Sequence, residues 1–207
     1  MLDKISEFYT KSFLLHGATS QGVGWKDVKS QDLRFEQLCK VISKQDEKRG
    51  ITINDFGCGY GAMFKYLNDR FQIRRYYGYD ICSDIIKAAK ENNTYKNAVF
   101  IISPKVTHTA DYSFISGTFT VKLATSTKIW TNYVKNTLID ISKKSRKGFA
   151  FNALTIYTDW ASKDAYYADP IHFFTFCKQF ISKYVSLIND YPLFEWTILV
   201  KKEEYYK

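Results

Sequence analysis

Three glycines at alternate positions, Gly57, Gly59 and Gly61, limit how this chain can fold more than any other feature. They follow Ile51-Thr52-Ile53-Asn54-Asp55-Phe56, whose β-branched residues read as a short buried strand. Met63-Phe64-Lys65-Tyr66-Leu67 comes next, with apolar residues at helical spacing. In a strand, glycine turn and helix, the backbone can press close to a ligand. Each glycine removes a Cβ that would hold the ligand off, and the first N–H groups of the helix have no partner within it. A second signal lies 23 residues beyond Gly57, where Arg75-Tyr76-Tyr77-Gly78-Tyr79 reads as the next strand and ends in Asp80. A tight turn before a helix accounts for one glycine, but not for three with an acid ahead of them and another at the next strand end.

The run Asp55-x-Gly57-x-Gly59-x-Gly61 followed by Asp80 resembles the cofactor site of the class I S-adenosylmethionine (SAM)-dependent methyltransferases. The same letters satisfy the dinucleotide fingerprint, with Ala62 in its last small-residue place. Two features favour the methyltransferase: Asp55 precedes the first glycine, and the chain leaves little room for a separate dehydrogenase substrate domain. The resemblance spans roughly residues 50–202. It implies an α/β fold, a three-layer αβα sandwich with a Rossmann-like, seven-stranded, mostly parallel sheet and a C-terminal antiparallel hairpin. It also implies SAM as cofactor and S-adenosylhomocysteine (SAH) as product. Asp80 would accept hydrogen bonds from the ribose hydroxyls, and Ile81 would flank the adenine. Asp55, Gly57, Cys58 and Gly59 would form the glycine turn around the cofactor. Ser116, with Gly117 and Phe119, would line the site beside the reactive methyl group. From the N-terminal segment, Trp25 could reach the cofactor once the segment closes, and Arg34, near the start of its helix, reads either as a solvent-facing charge or as a partner for the carboxylate of the methionine part. The family often carries an acid beyond its third strand, near the adenine amino group, where this chain has Ser103-Pro104-Lys105. It also lacks the Asn/Asp-Pro-Pro-Tyr/Phe box of methyltransferases acting on amide or base nitrogens.

At 207 residues the chain is long enough for a sizeable core and reads as one compact domain. Residues 1–49 are expected to form an N-terminal helical lid or cap, and residues 50–207 the SAM-binding core. Helical spacing is expected over 2–15 (Leu2, Ile5, Phe8, Tyr9, Phe13, Leu14) and over 28–47, the latter closed by Gly50. Between them, residues 16–25 contain three glycines and read as a loop that could close over the site, with Tyr9, His16 and Trp25 as its functional side chains. After Asp80, Ser83 reads as the N-cap of a helix; later helices are expected over 125–142 and from Asp169-Pro170 to Ser182. Strands are expected at 97–102, 111–119 and 148–157, and a hairpin at 184–188 and 194–200. Ligands bind beyond the carboxyl ends of strands in open α/β sheets, so the loop from Tyr157 to Asp169 reads as a substrate wall. Its Tyr157 and Asp159 join His16 as candidate catalytic groups, while His172, in the first turn of a helix, reads as structural.

The formal net charge is +9 and the pI about 9.2, a balance compatible with a nucleic-acid partner, although the one dense basic run, 143–147, is short. Four cysteines in no paired motif read as free thiols, and no spacing suggests a metal site. The N-terminus is charged and amphipathic rather than a signal peptide, and no apolar run approaches a membrane span, so a cytoplasmic protein without a membrane partner is expected. The expected activity is methyl transfer from SAM to a small molecule or glycan precursor. The alternatives are an RNA or protein acceptor, or SAM binding without catalysis.

Overall fold

The β-branched and aromatic runs form one twisted sheet in a computed structural model of the chain, which describes residues 1–202. The last five residues of the expected core, 203–207, lie outside the described residues. The strands are β1 (Ile51–Phe56), β2 (Ile73–Asp80), β3 (Ala98–Ile102), β4 (Ala110–Ile115), β5 (Ser145–Thr155), β6 (Tyr167–Ala168), β7 (Tyr184–Ile188) and β8 (Glu195–Lys201). Seven of them follow the order β3-β2-β1-β4-β5-β8-β7, and the two-residue β6 attaches to the end of β5. β3, β2, β1, β4 and β5 run parallel, whereas β8 lies antiparallel between β5 and β7. The seven-stranded sheet with a closing hairpin is thus present, with β6 as an addition.

Six α-helices cover the sheet among the described residues: α1 (Leu2–His16), α2 (Val28–Cys39), α3 (Ala62–Asn68), α4 (Ser83–Asn92), α5 (Thr127–Lys143) and α6 (Pro170–Phe180). They divide between two apolar cores. On one face Ile5 of α1, the α5 row Trp130, Val134, Leu138 and Ile141, and Phe173 of α6 meet Phe149, Phe151 and Trp196. On the other, Phe35 and Leu38 of α2, Met63, Phe64 and Leu67 of α3, and Ile86 of α4 meet Ile53, Tyr76 and Phe114. The N-terminal segment therefore packs into both cores.

Several boundaries differ from those predicted, each for a local reason. α2 stops at Cys39 instead of 47: Lys40, Val41 and Ile42 each donate to the carbonyl three residues back, and Ser43 Oγ accepts from Asp46 N–H at the head of a separate turn, Asp46–Lys48. Arg49, in extended conformation, ends that turn, so Gly50 caps no helix. Cys82 rather than Ser83 occupies the N-cap of α4, because its N–H is drawn to the Asp80 carboxylate. β4 ends at Ile115 instead of 119, where Gly117 turns the chain with φ +66°. β5 begins at Ser145, earlier than its glycine suggested. His16 ends α1 instead of opening a loop, and Gln21–Val23 forms a single 3₁₀ turn.

One connection is shorter than the parallel topology normally uses. β3 reaches β4 through residues 103–109, seven in all, with no helix, whereas a parallel crossover usually takes a dozen or more. His108 stacks on Tyr77, with ring centroids 4.1 Å apart, and its backbone N–H donates to the Tyr79 hydroxyl at 3.1 Å, pinning this strap across the sheet. Among the described residues the sheet's two edges are β3 and β7, neither of which carries a charged residue or proline.

Candidate functional site

The C-terminal ends of β1, β2 and β4 converge on a cleft that encloses about 910 Å³ of empty space, part of it open to solvent. Its floor begins at Phe56, where the backbone turns through Gly57, Gly59 and Gly61, with φ of +79°, +53° and +87°. A Cβ on Gly57 would lie 2.2 Å from Thr118 Oγ1, which itself donates to Phe56 O at 2.7 Å. Here glycine is required by both conformation and space.

Asp80 organises the next strand end. One carboxylate oxygen accepts from Gly59 N–H at 3.1 Å and the other from Cys82 N–H at 3.0 Å. Burial pushes its pKa up, and those two N–H groups pull against the shift. Asp55 is fully buried in the cleft wall and accepts a hydrogen bond from Tyr76. Burial pushes its carboxyl up to about 7; the Tyr76 bond opposes this and the charge of Asp80 adds to it. Cys58, also buried, has its thiol raised well above the ordinary value by burial, which keeps it protonated.

At the end of β4, Ser116 Oγ is buried without a hydrogen-bond partner, and Ser116 lines the cleft. A buried hydroxyl left unpaired is costly, so this one fits a polar group of a bound ligand. Beside it, Gly117 N–H donates to Asn152 Oδ1 at 2.7 Å. The indole of Trp25 lies so close over Gly117 that a Cβ there would be 2.1 Å from the ring.

The roof comes from the N-terminal segment and α5. Leu2, Ile5 and Tyr9 of α1 face the cleft, as do Val23, Trp25 and Gln31. Trp130 and Tyr133 of α5 close the remaining side. The Tyr9 hydroxyl is raised by burial and by the nearby Asp80 and Cys82. Ser6 and Cys82 exchange long polar contacts at 3.5 Å, which tie α1 to the turn after β2.

Most residues singled out in the sequence therefore meet in one place. Trp25, Asp55, Gly57, Cys58, Gly59, Asp80, Ile81 and Ser116 all line the cleft, as do Tyr9 and Gly117. Arg34 does not line it: its guanidinium is engaged by Glu195, an ion pair with side-chain exposures of 9% and 3%. The charge, read as facing solvent or a ligand carboxylate, is thus already paired within the protein. His16, Tyr157 and Asp159 are exposed and lie outside the cleft wall, and Phe119 is buried in the core. Ser103, standing where the resembled family often has an acid, does line it. The roof residues Ile5, Trp130 and Tyr133 escaped the sequence reading because their helical spacing is that of core residues. Nothing in a periodic apolar pattern separates facing a core from facing a cleft.

A protein-family model described as "Methyltransferase domain" matches residues 54–150. A Mycobacterium tuberculosis protein described as "Putative methyltransferase Rv1506c" is 44% identical over 155 residues, covering 73% of this chain and 93% of that protein. The chain belongs to the class I SAM-dependent methyltransferases. Solved structures share the fold at low identity. A Leishmania major SAM-dependent methyltransferase superposes with a TM-score of 0.68 at 14% identity, covering 97% of this chain and 82% of its own. Magnesium protoporphyrin IX methyltransferase from Synechocystis PCC 6803, crystallised with SAH, gives 0.65 at 11% identity, covering 85% and 84%.

SAM is the cofactor of this methyltransferase family, and the cleft suits it. The cleft offers an unpaired buried hydroxyl at Ser116, a carboxylate at Asp80 with lone pairs to spare, and a glycine turn stripped of side chains. Among the described residues no group of three His, Cys, Asp or Glu side chains could hold a metal ion, and no helix is long and apolar enough to cross a membrane.

Proposed function

We propose that this methyltransferase acts in the cytoplasm on a small-molecule or glycan-precursor acceptor, with the N-terminal residues 1–49 serving as the cap over the core. The observation that carries the reading is the roofed cleft: Leu2, Ile5, Tyr9, Trp25, Trp130 and Tyr133 surround it with apolar and aromatic surface. An enclosed, mostly apolar pocket with a few placed polar groups is typical of small-ligand sites.

Asp80 would hold the ribose, Ile81 and Ser103 the adenine end, and the Gly57–Gly59 turn with Ser116 the methionine end. Bound SAM supplies a methyl group already activated on a positively charged sulfur. The protein's part is then alignment and exclusion of water. Trp25 and Tyr9 exclude solvent from above, and Thr118, braced on Phe56, sets the depth of the glycine turn. Among the described residues the cleft wall presents no His, Lys or Arg side chain. The site therefore favours an acceptor that is nucleophilic without help from a strong base, or one whose proton is taken by a carboxylate.

The basic charge gives an RNA acceptor less support than the bare count of +9 does. Within the run at 143–147, Lys143 pairs with Asp140, Arg146 with Asp111 and Lys147 with Asp46. Incubating the protein with methyl-labelled SAM and separated cell fractions tests the proposal. Label in the small-molecule or glycan-precursor fraction is the expected result. Label in RNA or protein overturns it, and SAH binding with no labelled product would identify a non-catalytic SAM-binding protein.

A further inference from the structure

We infer that Glu195, with Asn152 and Arg34, is a positioning residue for the cofactor site, acting through Trp25 and Gly117. These five residues form a closed ring. Gly117 N–H donates to Asn152 Oδ1 at 2.7 Å, and Asn152 Nδ2 donates to Glu195 Oε2 at 2.7 Å. Glu195 accepts from Arg34 Nε at 2.9 Å and also from Nη2. The Arg34 guanidinium stands 3.9 Å from the centroid of the Trp25 ring, and that ring rests on the Cα of Gly117. A further bond, from Arg34 Nη1 to Ser30 O at 2.8 Å, fixes the guanidinium to the first turns of α2.

Only two members of the ring, Trp25 and Gly117, touch the cleft. Glu195, Asn152 and Arg34 are buried behind them, so whatever they contribute to ligand binding must pass through those two. The ring joins the cap to three neighbouring strands, since Gly117 follows β4, Asn152 lies on β5 and Glu195 opens β8. Burying an ion pair is expensive and replaceable by apolar packing, and the best-attested reason to keep one is to specify a single arrangement. Here the arrangement specified is the position of the indole over the turn that holds the methionine end. A planar guanidinium can stack on that ring while binding a carboxylate bidentately. The inference rests on the cofactor site and is independent of which acceptor is used.

SAH dissociation constants from titration calorimetry test it in a double-mutant cycle. Glu195→Gln and Trp25→Ala are each expected to weaken SAH binding about tenfold or more, and the double variant to be no weaker than the worse single by more than about twofold. Arg34→Lys keeps a charge opposite Glu195 but loses the planar stack, and is expected to weaken SAH by a similar factor even if Glu195→Gln fails to fold. Asp111→Asn, which breaks a buried carboxylate's pairs with Arg74 and Arg146, supplies the structural comparison: a lower Tm with unchanged SAH affinity. Multiplicative effects in the cycle overturn the inference. So does unchanged SAH affinity in Glu195→Gln or Arg34→Lys, or an equal loss in Asp111→Asn.

Discussion

Asp80 holds the turn around the cleft, and we propose a second task for it. Its oxygens hold the N–H groups of Gly59 and Cys82, and each keeps a lone pair that a ribose hydroxyl can use. Replacing it with Ala removes charge-assisted hydrogen bonds and should weaken SAH binding by about 1.5–3 kcal/mol while the sheet stays folded. Calorimetry beside a circular dichroism spectrum measures both, and an unchanged dissociation constant would remove Asp80 from the ribose site. Asp55 makes a different prediction. Its folded pKa, about 7, lies above its ordinary value of 3.8, so between those values the folded state holds a proton that the unfolded chain releases. Stability from the neutral carboxyl is full below about pH 4 and is lost as pH rises through about 7. Asp55→Asn stays neutral throughout, so its Tm should vary less with pH across that window than the parent protein's. Equal slopes would show that Asp55 ionises as readily folded as unfolded.

At the scale of elements, what the sequence made legible follows from how local each signal is. β1, its glycine turn and the end of β2 were readable because positive-φ glycines and an acid at a strand end are written within a few adjacent residues. The same holds for the Asp169-Pro170 start of α6, where Asp169 caps the N–H groups of Ile171 and His172. Arg34 was misplaced because its partner, Glu195, is 161 residues away and nothing local announces the pairing. Tyr157 and Asp159 lie beyond β5, which ends at Thr155, two residues short of the expected strand end, and the side-chain direction of an irregular loop is not encoded in its residue types. The turn at 20–25 is held by a few short-range bonds, including Trp25 N–H to Ser20 O at 2.8 Å, and it contacts the site through Val23 and Trp25. Arg34 holds the Trp25 side chain, but the backbone of the turn has few partners, and contacts with a bound ligand would raise the cost of opening it. Hydrogen exchange of residues 16–25 should slow when SAH is added. If protection rises around Gly57 and Asp80 while 16–25 is unaffected, the cap is static, and the acceptor must be sought along Tyr157 to Asp169.

For the whole molecule, a charge of +9 predicts some attraction to any polyanion, so binding to RNA at low salt carries no information about the acceptor. With a small-molecule acceptor, binding to single-stranded RNA should vanish by about 150 mM salt. RNA retained at that salt and strengthened by SAH would reverse the choice. The two edges of the sheet have a consequence for handling the protein. β3 reads Ala98-Val99-Phe100-Ile101-Ile102 and β7 reads Tyr184-Val185-Ser186-Leu187-Ile188, both with high β-propensity and no internal charge. Edge strands of this composition can recruit another chain, so the first event on warming is expected to be intermolecular strand pairing and turbidity instead of reversible melting. Lys96 and Lys105 flank β3 as gatekeepers without interrupting it. Ile102 is 57% exposed at its end, and Ile102→Lys should delay the rise in light scattering on heating while leaving SAH affinity unchanged. The methyltransferase would thus lose soluble material at a temperature set by its outermost strands, well before its two cores come apart.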